Sequence, residues 1–128
     1  MTENEIASII VDACVKIHKK LGPGLLESVY ERILARELIK RGLDVVRQVA
    51  VPIVWEDEIF DEGFRADLIV NDLVIIELKS VEQLAKVHKK QLLTYLRLTD
   101  KKLGILANFG ECLMKDGITR IVNGLRED

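Results

Sequence analysis

Two apolar runs meet at Asn71-Asp72, and they restrict the fold more than any other segment of the chain. Ala66-Asp67-Leu68-Ile69-Val70 precedes this pair, and Leu73-Val74-Ile75-Ile76-Glu77-Leu78-Lys79 follows it. Apolar, β-branched runs bounded by a two-residue turn signal predict adjacent strands joined by a hairpin. Alternate strand residues share a face. Glu77 and Lys79 therefore point one way, and Val74, Ile76 and Leu78 point the other way, into a core. Asp67, Glu77 and Lys79 are thus gathered beside buried sheet. Such a cluster costs free energy unless something binds there. A hard divalent cation, which takes oxygen ligands, is the expected occupant. Metal-assisted hydrolysis, with Lys79 beside the attacking water, is the expected chemistry.

The chain has 128 residues, nearly half of them hydrophobic and about a third charged. That is the size of one domain, 1–128, with a real core. No apolar run approaches the length of a membrane span, so no membrane partner is expected. The segment Met1-Thr2-Glu3-Asn4-Glu5 is acidic and polar and does not read as a signal peptide, which points to a cytoplasmic protein. Cys14 and Cys112 are far apart and lack metal-type spacing, so buried, reduced thiols are expected. The net charge of −2 argues against non-specific coating of nucleic acid but leaves room for a local basic surface.

Thr2-Glu3-Asn4-Glu5 fits a capping box. Ile6, Ile9, Ile10, Ala13, Cys14 and Ile17 then recur at helical spacing until Leu21-Gly22-Pro23-Gly24 breaks the helix. A second helix is predicted from about Leu25 to Arg41, with Leu26, Val29, Tyr30, Ile33, Leu34 and Leu38 on its apolar face and Gly42 as its stop. Val45 to Trp55 reads as a strand, Glu56-Asp57 as a turn, and Ile59 to Val70 as one or two further strands. Ser80-Val81-Glu82-Gln83 reads as a capping box opening a helix to about Thr99. Leu103 to Phe109 reads as a buried strand. Asp116-Gly117 predicts a terminal hairpin between Cys112-Leu113-Met114 and Ile118 to Val122. A helix between two strands implies a crossover and a mixed sheet.

Glu27 falls in the first turn of the second helix, where an acid also stabilises the helix dipole. On the predicted Val81–Thr99 helix, Leu84, Val87, Leu92, Tyr95 and Leu98 define a buried arc that includes His88 and Gln91. Gln91 and Tyr95, spaced i, i+4, reach one spot. A glutamine there needs partners, either in a neighbouring loop or in a site facing the carboxylates. Lys86, Lys90 and Arg97 share the outward face and, with Lys89, either hold phosphates or are simply solvated. Lys16, Lys19 and Lys20 form a second basic group beside the Gly-Pro-Gly turn.

Asp67 and Glu77-Leu78-Lys79, followed by a helix, resemble the PD-(D/E)xK nuclease superfamily. Gln91-Leu92-Leu93-Thr94-Tyr95 resembles the QxxxY motif of its RecB-like branch. Gly24-Leu25-Leu26-Glu27-Ser28-Val29-Tyr30 matches the GxxExxY signature of a small family in that superfamily, and Gly104-Ile105-Leu106-Ala107-Asn108-Phe109-Gly110 is similar to the same family. The resemblance covers nearly the whole chain. One departure is that Arg65-Ala66-Asp67 has no proline before the aspartate. The resemblance implies an α/β (α+β) fold, with a central mixed sheet flanked by helices. It implies Glu27, Asp67, Glu77 and Lys79 as the site, supported by Gln91 and Tyr95. On this reading Asp67, Glu77 and the Leu78 carbonyl bind Mg²⁺, or Mn²⁺ in its place, and Glu27 completes the shell. Lys79 orients water, Gln91 holds a phosphate oxygen or positions Lys79, and Tyr95 hydrogen-bonds the cluster. The expected function is a Mg²⁺-dependent nuclease acting on DNA. The alternative is a catalytically silent module that binds nucleic acid or a protein. The small size and weak basic surface fit that alternative, or dependence on a partner protein or a homodimer.

Overall fold

The computed structural model describes residues 1–62 and 64–126. Helix α1 (Glu3–Leu21) opens on Thr2, whose hydroxyl accepts the Glu5 N–H, while the Glu5 carboxylate accepts the Thr2 N–H. Two otherwise orphaned donors are satisfied by this reciprocal cap. Ile6, Ile10, Ala13, Cys14 and Ile17 bury one stripe, and Gly22 at φ +69° ends the helix. Helix α2 (Glu27–Lys40) buries Tyr30, Glu31, Leu34, Ala35 and Leu38. Leu26 and Val29, expected on that face, are exposed. Leu26 is the N-cap and lies outside the first turn, so the buried stripe begins at Tyr30. Gly42 follows at φ +89°.

The run from Val45 to Trp55 is two strands rather than one, β1 (Val45–Ala50) and β2 (Ile53–Trp55). Pro52, without an N–H to donate, stands in the break. Glu56 and Asp57, both at positive φ, turn β2 into β3 (Glu58–Phe60), and these two form a ribbon of their own. Gly63, within the predicted Ile59–Val70 segment, lies outside the described residues. Then come β4 (Arg65–Val70) and β5 (Val74–Lys79), joined through Asn71 and Asp72 at φ +51° and +55°. Asn71 also accepts the Asp44 N–H on its side-chain oxygen.

Helix α3 (Lys86–Thr99) starts five residues later than predicted. Ser80 does not cap it; the Ser80 hydroxyl donates to the Leu25 carbonyl at 2.8 Å. His88 Nδ1 instead accepts the Ala85 N–H at 3.1 Å, which gives this histidine a structural role. The buried face of α3 is Leu92, Tyr95 and Leu96, whereas Val87, Gln91 and Leu98 are exposed. Gly104 sets this rotation: a Cβ there would stand 2.9 Å from the Leu92 side chain, so the missing side chain admits Leu92 against the sheet.

Strand β6 (Leu103–Asn108) is buried throughout. Among the described residues, the hairpin predicted between Cys112-Leu113-Met114 and Ile118 to Val122 does not form. Cys112-Leu113-Met114 leads into one helical turn, α4 (Met114–Gly117), and β7 (Ile118–Val122) returns antiparallel against β6. Gly117 lies directly over the Asn108 carbonyl, where a Cβ would come within 2.2 Å. Cys14 is buried, as expected, and its thiol is pushed up to about 12 by burial, but Cys112 on this loop is exposed.

The sheet order is β1-β4-β5-β6-β7, with only β5 and β6 parallel, joined by the α3 crossover. Helices α1 and α2 pack on Leu68, Val70, Val74, Ile76 and Leu78. Helix α3 packs on the opposite face, on Ala66, Ile69, Ile75 and Leu106. Strand β5 is therefore covered on both sides, and its last two positions on the α3 side are Glu77 and Lys79. No described helix is long and apolar enough to cross a membrane.

Candidate active site

Strands β4 and β5 pair regularly from Val70–Val74 to Leu68–Ile76. Beyond that point carboxylates replace the main-chain ladder. Leu78 N–H donates to Asp67 Oδ2 at 2.8 Å, and Asp67 N–H donates to Glu77 Oε1 at 3.2 Å. Each acid satisfies the backbone of the other strand, and the strands part around the two carboxyl groups.

The neighbouring strand is distorted at the same level. Gln48 stands opposite Asp67 in β1, between the pairs Arg47–Leu68 and Val49–Ala66, and has φ +51°. That conformation is rare for a residue with a side chain and gathers at functional sites. It sends the Gln48 amide Nε2 to Glu31 Oε1 at 2.5 Å and to Asp67 Oδ1 at 3.3 Å. Glu31 is buried, and its other oxygen accepts Arg47 Nε at 3.1 Å and Nη2 at 2.9 Å. A continuous chain of polar contacts thus runs from Arg47 through Glu31 and Gln48 to Asp67.

Glu27, Glu31, Gln48, Asp67, Glu77 and Lys79 line one open pocket of about 410 Å³. Glu27 reaches it from the first turn of α2. Tyr30, three residues on, anchors the preceding turn: its hydroxyl donates to the Gly22 carbonyl at 2.5 Å and accepts the Leu25 N–H at 3.2 Å, and its ring stacks on Phe109 at 4.3 Å. The segment after Lys79 is held by Asn108, which is fully buried. Its oxygen accepts the N–H groups of Val81 and Gly110, and its amide donates to the Val81 carbonyl.

Glu77 is only 8 % exposed. Burial, and then the Asp67 charge, push its carboxyl up to about 9, with Lys79 pulling weakly the other way. A group so placed keeps its proton near neutral pH. Tyr95 lies on the same side of the sheet, edge-on to Phe64 at 5.3 Å. Burial first, then the charges of Glu77 and Asp67, raise its hydroxyl. Gln91 is exposed one turn earlier on α3 and does not line the pocket.

The basic residues singled out in the sequence lie elsewhere. Lys86, Lys89 and Lys90 are exposed at the start of α3. Lys16, Lys19 and Lys20 line a separate groove with Asp12, and Lys16 is paired with Glu37 at 2.7 Å. Sequence reasoning missed Glu31, Gln48 and Asn108. Glu31 had a signal, being i+4 from Glu27 and thus on the same helix face. Asn108 had one too, as the only side-chain amide in an otherwise apolar strand. Gln48 had none.

The donors here are all oxygens, as a hard cation requires. Among the described residues, no three His, Cys, Asp or Glu side chains group closely enough to hold an ion. Asp67 and Glu77 form a pair, and the proton retained by Glu77 stands where a cation would supply charge. Two carboxylates suit an ion that keeps several waters, which is the habit of Mg²⁺.

No curated protein and no solved structure matches the chain. A family model for the PD-(D/E)XK nuclease superfamily matches residues 4–121. A mixed five-stranded sheet between helices, with Asp67 and a Glu77-Leu78-Lys79 strand end at one pocket, agrees with that match. The chain belongs to the PD-(D/E)XK nuclease superfamily.

Proposed function

We propose that the chain, as a single domain over 1–128, is a divalent-metal-dependent nuclease that hydrolyses phosphodiester bonds in DNA. The observation that carries this reading is the parting of β4 and β5 around Asp67 and Glu77, with Lys79 on the same pocket wall. Within the superfamily, the chain fits the GxxExxY family and the RecB-like branch, on Gly24–Tyr30 and Gln91–Tyr95. The reading also places it in the cytoplasm.

Asp67, Glu77 and the Leu78 carbonyl would hold Mg²⁺, or Mn²⁺ in its place, with Glu27 reaching the shell through water. Bound there, the ion would lower the pKa of a water and neutralise charge on the phosphate. Lys79 orients the attacking water and faces the charge that develops on the phosphate oxygens. Gln48, tied to Glu31, keeps Asp67 turned toward the pocket. Tyr95, on the α3 side and outside the pocket lining, feels the charges of Glu77 and Asp67 and would hydrogen-bond the cluster in the loaded site. Gln91, outside the pocket, takes a phosphate oxygen of the bound strand. Lys86, Lys89 and Lys90 hold phosphates further along α3.

The alternative is a silent nuclease-fold module. It is favoured by one feature: no third acid joins Asp67 and Glu77 closely enough to complete a ligand group among the described residues. Calorimetric titration with Mg²⁺ and Mn²⁺, followed by cleavage assays on single-stranded DNA, duplex DNA and RNA, separates the two. Saturable binding with metal-dependent cleavage of DNA is expected. Metal binding without cleavage of any substrate would select the silent module, and no metal binding would remove both the cofactor and the mechanism.

A further inference from the structure

Strands β2 and β3 stand apart from the main sheet as a two-stranded ribbon. Val54, Trp55 and Ile59 on it are 66 %, 68 % and 71 % exposed, and Phe60 is exposed beside them. Val54 and Ile59 are direct cross-strand partners, so they form one apolar face. A lone ribbon of this kind is marginally stable in water, and a concentration of large exposed apolar side chains marks a contact surface. The ribbon is also strongly acidic. Glu56, Asp57, Glu58, Asp61 and Glu62 lie within Val51 to Glu62, and no Lys or Arg does. Such a surface repels phosphate, so its partner is a basic, partly apolar protein groove rather than nucleic acid.

The same chain presents such a groove. Arg32, Arg36 and Lys40 follow one another at four-residue spacing along α2 and so share one side of it. With Ile33, Ile39 and Arg47 they line a groove of about 480 Å³, in which Ile39 is 56 % exposed. Groove and ribbon flank the same strand. The groove follows α2 toward the turn that feeds β1, and the ribbon leaves β1 at its other end, after Ala50. Strand β1 is the edge of the sheet, and its Val46 is exposed. Two copies related by a two-fold axis across this edge would each offer a ribbon to the other's groove, which closes the assembly.

We infer that the chain forms a two-fold dimer in which the acidic, apolar β2–β3 ribbon of each copy docks in the basic, apolar α2 groove of the other. The inference does not depend on catalysis. Sedimentation velocity of the full chain over a concentration series should show a monomer–dimer equilibrium that weakens as salt is raised, because the opposed charges are screened. Trp55 is the only tryptophan, so its emission should move to shorter wavelength over the same series. Two charge-reversed variants test the pairing: Glu58→Lys, Asp61→Lys and Glu62→Lys together on the ribbon, which leaves the positive-φ turn positions untouched, and Arg32→Glu, Arg36→Glu and Lys40→Glu together in the groove. Each alone should be monomeric, because every ribbon meets a like-charged groove. An equal mixture should dimerise again, because both ribbon–groove contacts are then matched. Melts of each variant check folding, and the salt series on the parent stands independently of them. A parent that stays monomeric throughout would overturn the inference, leaving the ribbon to a different protein. A dimer that survives both reversals, or a mixture of folded variants that stays monomeric, would overturn it too. If the groove reversal lowered oligonucleotide binding and left sedimentation unchanged, the groove would be a phosphate site and the dimer assignment wrong.

Discussion

Glu77 and Lys79 share a strand face two residues apart, and the core of β5 is made by other side chains. Val74, Ile76 and Leu78 face α1 and α2, so truncating either charged residue leaves that apolar packing in place. Glu77→Ala and Lys79→Ala are each expected to lower metal-dependent cleavage by about 10²–10³-fold, the usual cost of removing one preorganised charge or donor. Lys79→Ala should keep the parental melting temperature, whereas Glu77→Ala leaves the Asp67 N–H without its acceptor and should lower it, and single-turnover cleavage is the check. A variant that cuts at the parental rate would take that residue out of the mechanism. Glu31 behaves differently, because it is a structural acceptor for Arg47 and Gln48. Glu31→Ala should cost about 1–3 kcal/mol, the range for hydrogen bonds to a charged group and for donors left unpaired. Its denaturant midpoint should fall, whereas Glu31→Gln should recover part of the loss. The shared face of Glu77 and Lys79 was legible because strand period alone dictates it. The role of Gln48 was not, because its backbone conformation is imposed by the pairing of β1 with β4 and leaves no local trace in the sequence.

The elements most legible in the sequence were those bounded by their own turn chemistry. Thr2 with Glu5 marks the start of α1, and Asn71-Asp72 marks the β4–β5 turn, because these side chains satisfy or permit a specific local backbone. Ser80 carried the same signal and misled, since its hydroxyl is taken by the distant Leu25 carbonyl. The course after Lys79 depends on Asn108 and on Gly110, where a Cβ would fall 2.1 Å from the Val81 carbonyl oxygen. Backbone on both sides leaves no flexible group to give way. Gly110→Ala should therefore lower the melting temperature clearly, and should also cut activity by shifting the segment that follows Lys79. Parental stability in that variant would contradict the close approach. Helix α3 supplies a separate expectation. Lys86, Lys89 and Lys90 are exposed near its start, outside the pocket. Replacing all three by Gln should weaken oligonucleotide binding and flatten its dependence on salt, since fewer counterions are released, and should leave metal binding unchanged. An unchanged salt slope would mean that this face is only solvated.

Across the whole molecule, a three-layer stack sets two acids at adjoining strand ends, Asp67 on β4 and the buried Glu77 on β5, and stability should record the cost of that placement. The layers themselves follow from apolar periodicity, which is why the mixed sheet between helices could be read from sequence. The depth of Glu77 could not, because it depends on α3 covering the far side of β5. The folded chain holds the Glu77 proton up to about pH 9, against an ordinary value of 4.5 when unfolded. Between those values the native state binds the proton and the unfolded state does not. Stability of the metal-free protein must then fall as pH rises through this window, by up to about 1.4 kcal/mol per pH unit for one proton. Glu37 and Asp72 act in the opposite sense. Their carboxyls are held below the ordinary range by Lys16 and Lys101, so their contribution is lost only as pH falls into the acid range. Melts in chelator should therefore give a temperature that declines from about pH 5 to pH 9. Glu77→Gln cannot lose a proton there, and its profile should be flatter. Added Mg²⁺ or Mn²⁺ should raise the melting temperature more at pH 8 than at pH 6, because a cation binding the native state competes with that proton. If the Glu77→Gln profile declined as steeply as the parent's, the acid responsible would lie elsewhere, and Glu77 would be no more than a buried hydrogen-bond acceptor for Asp67.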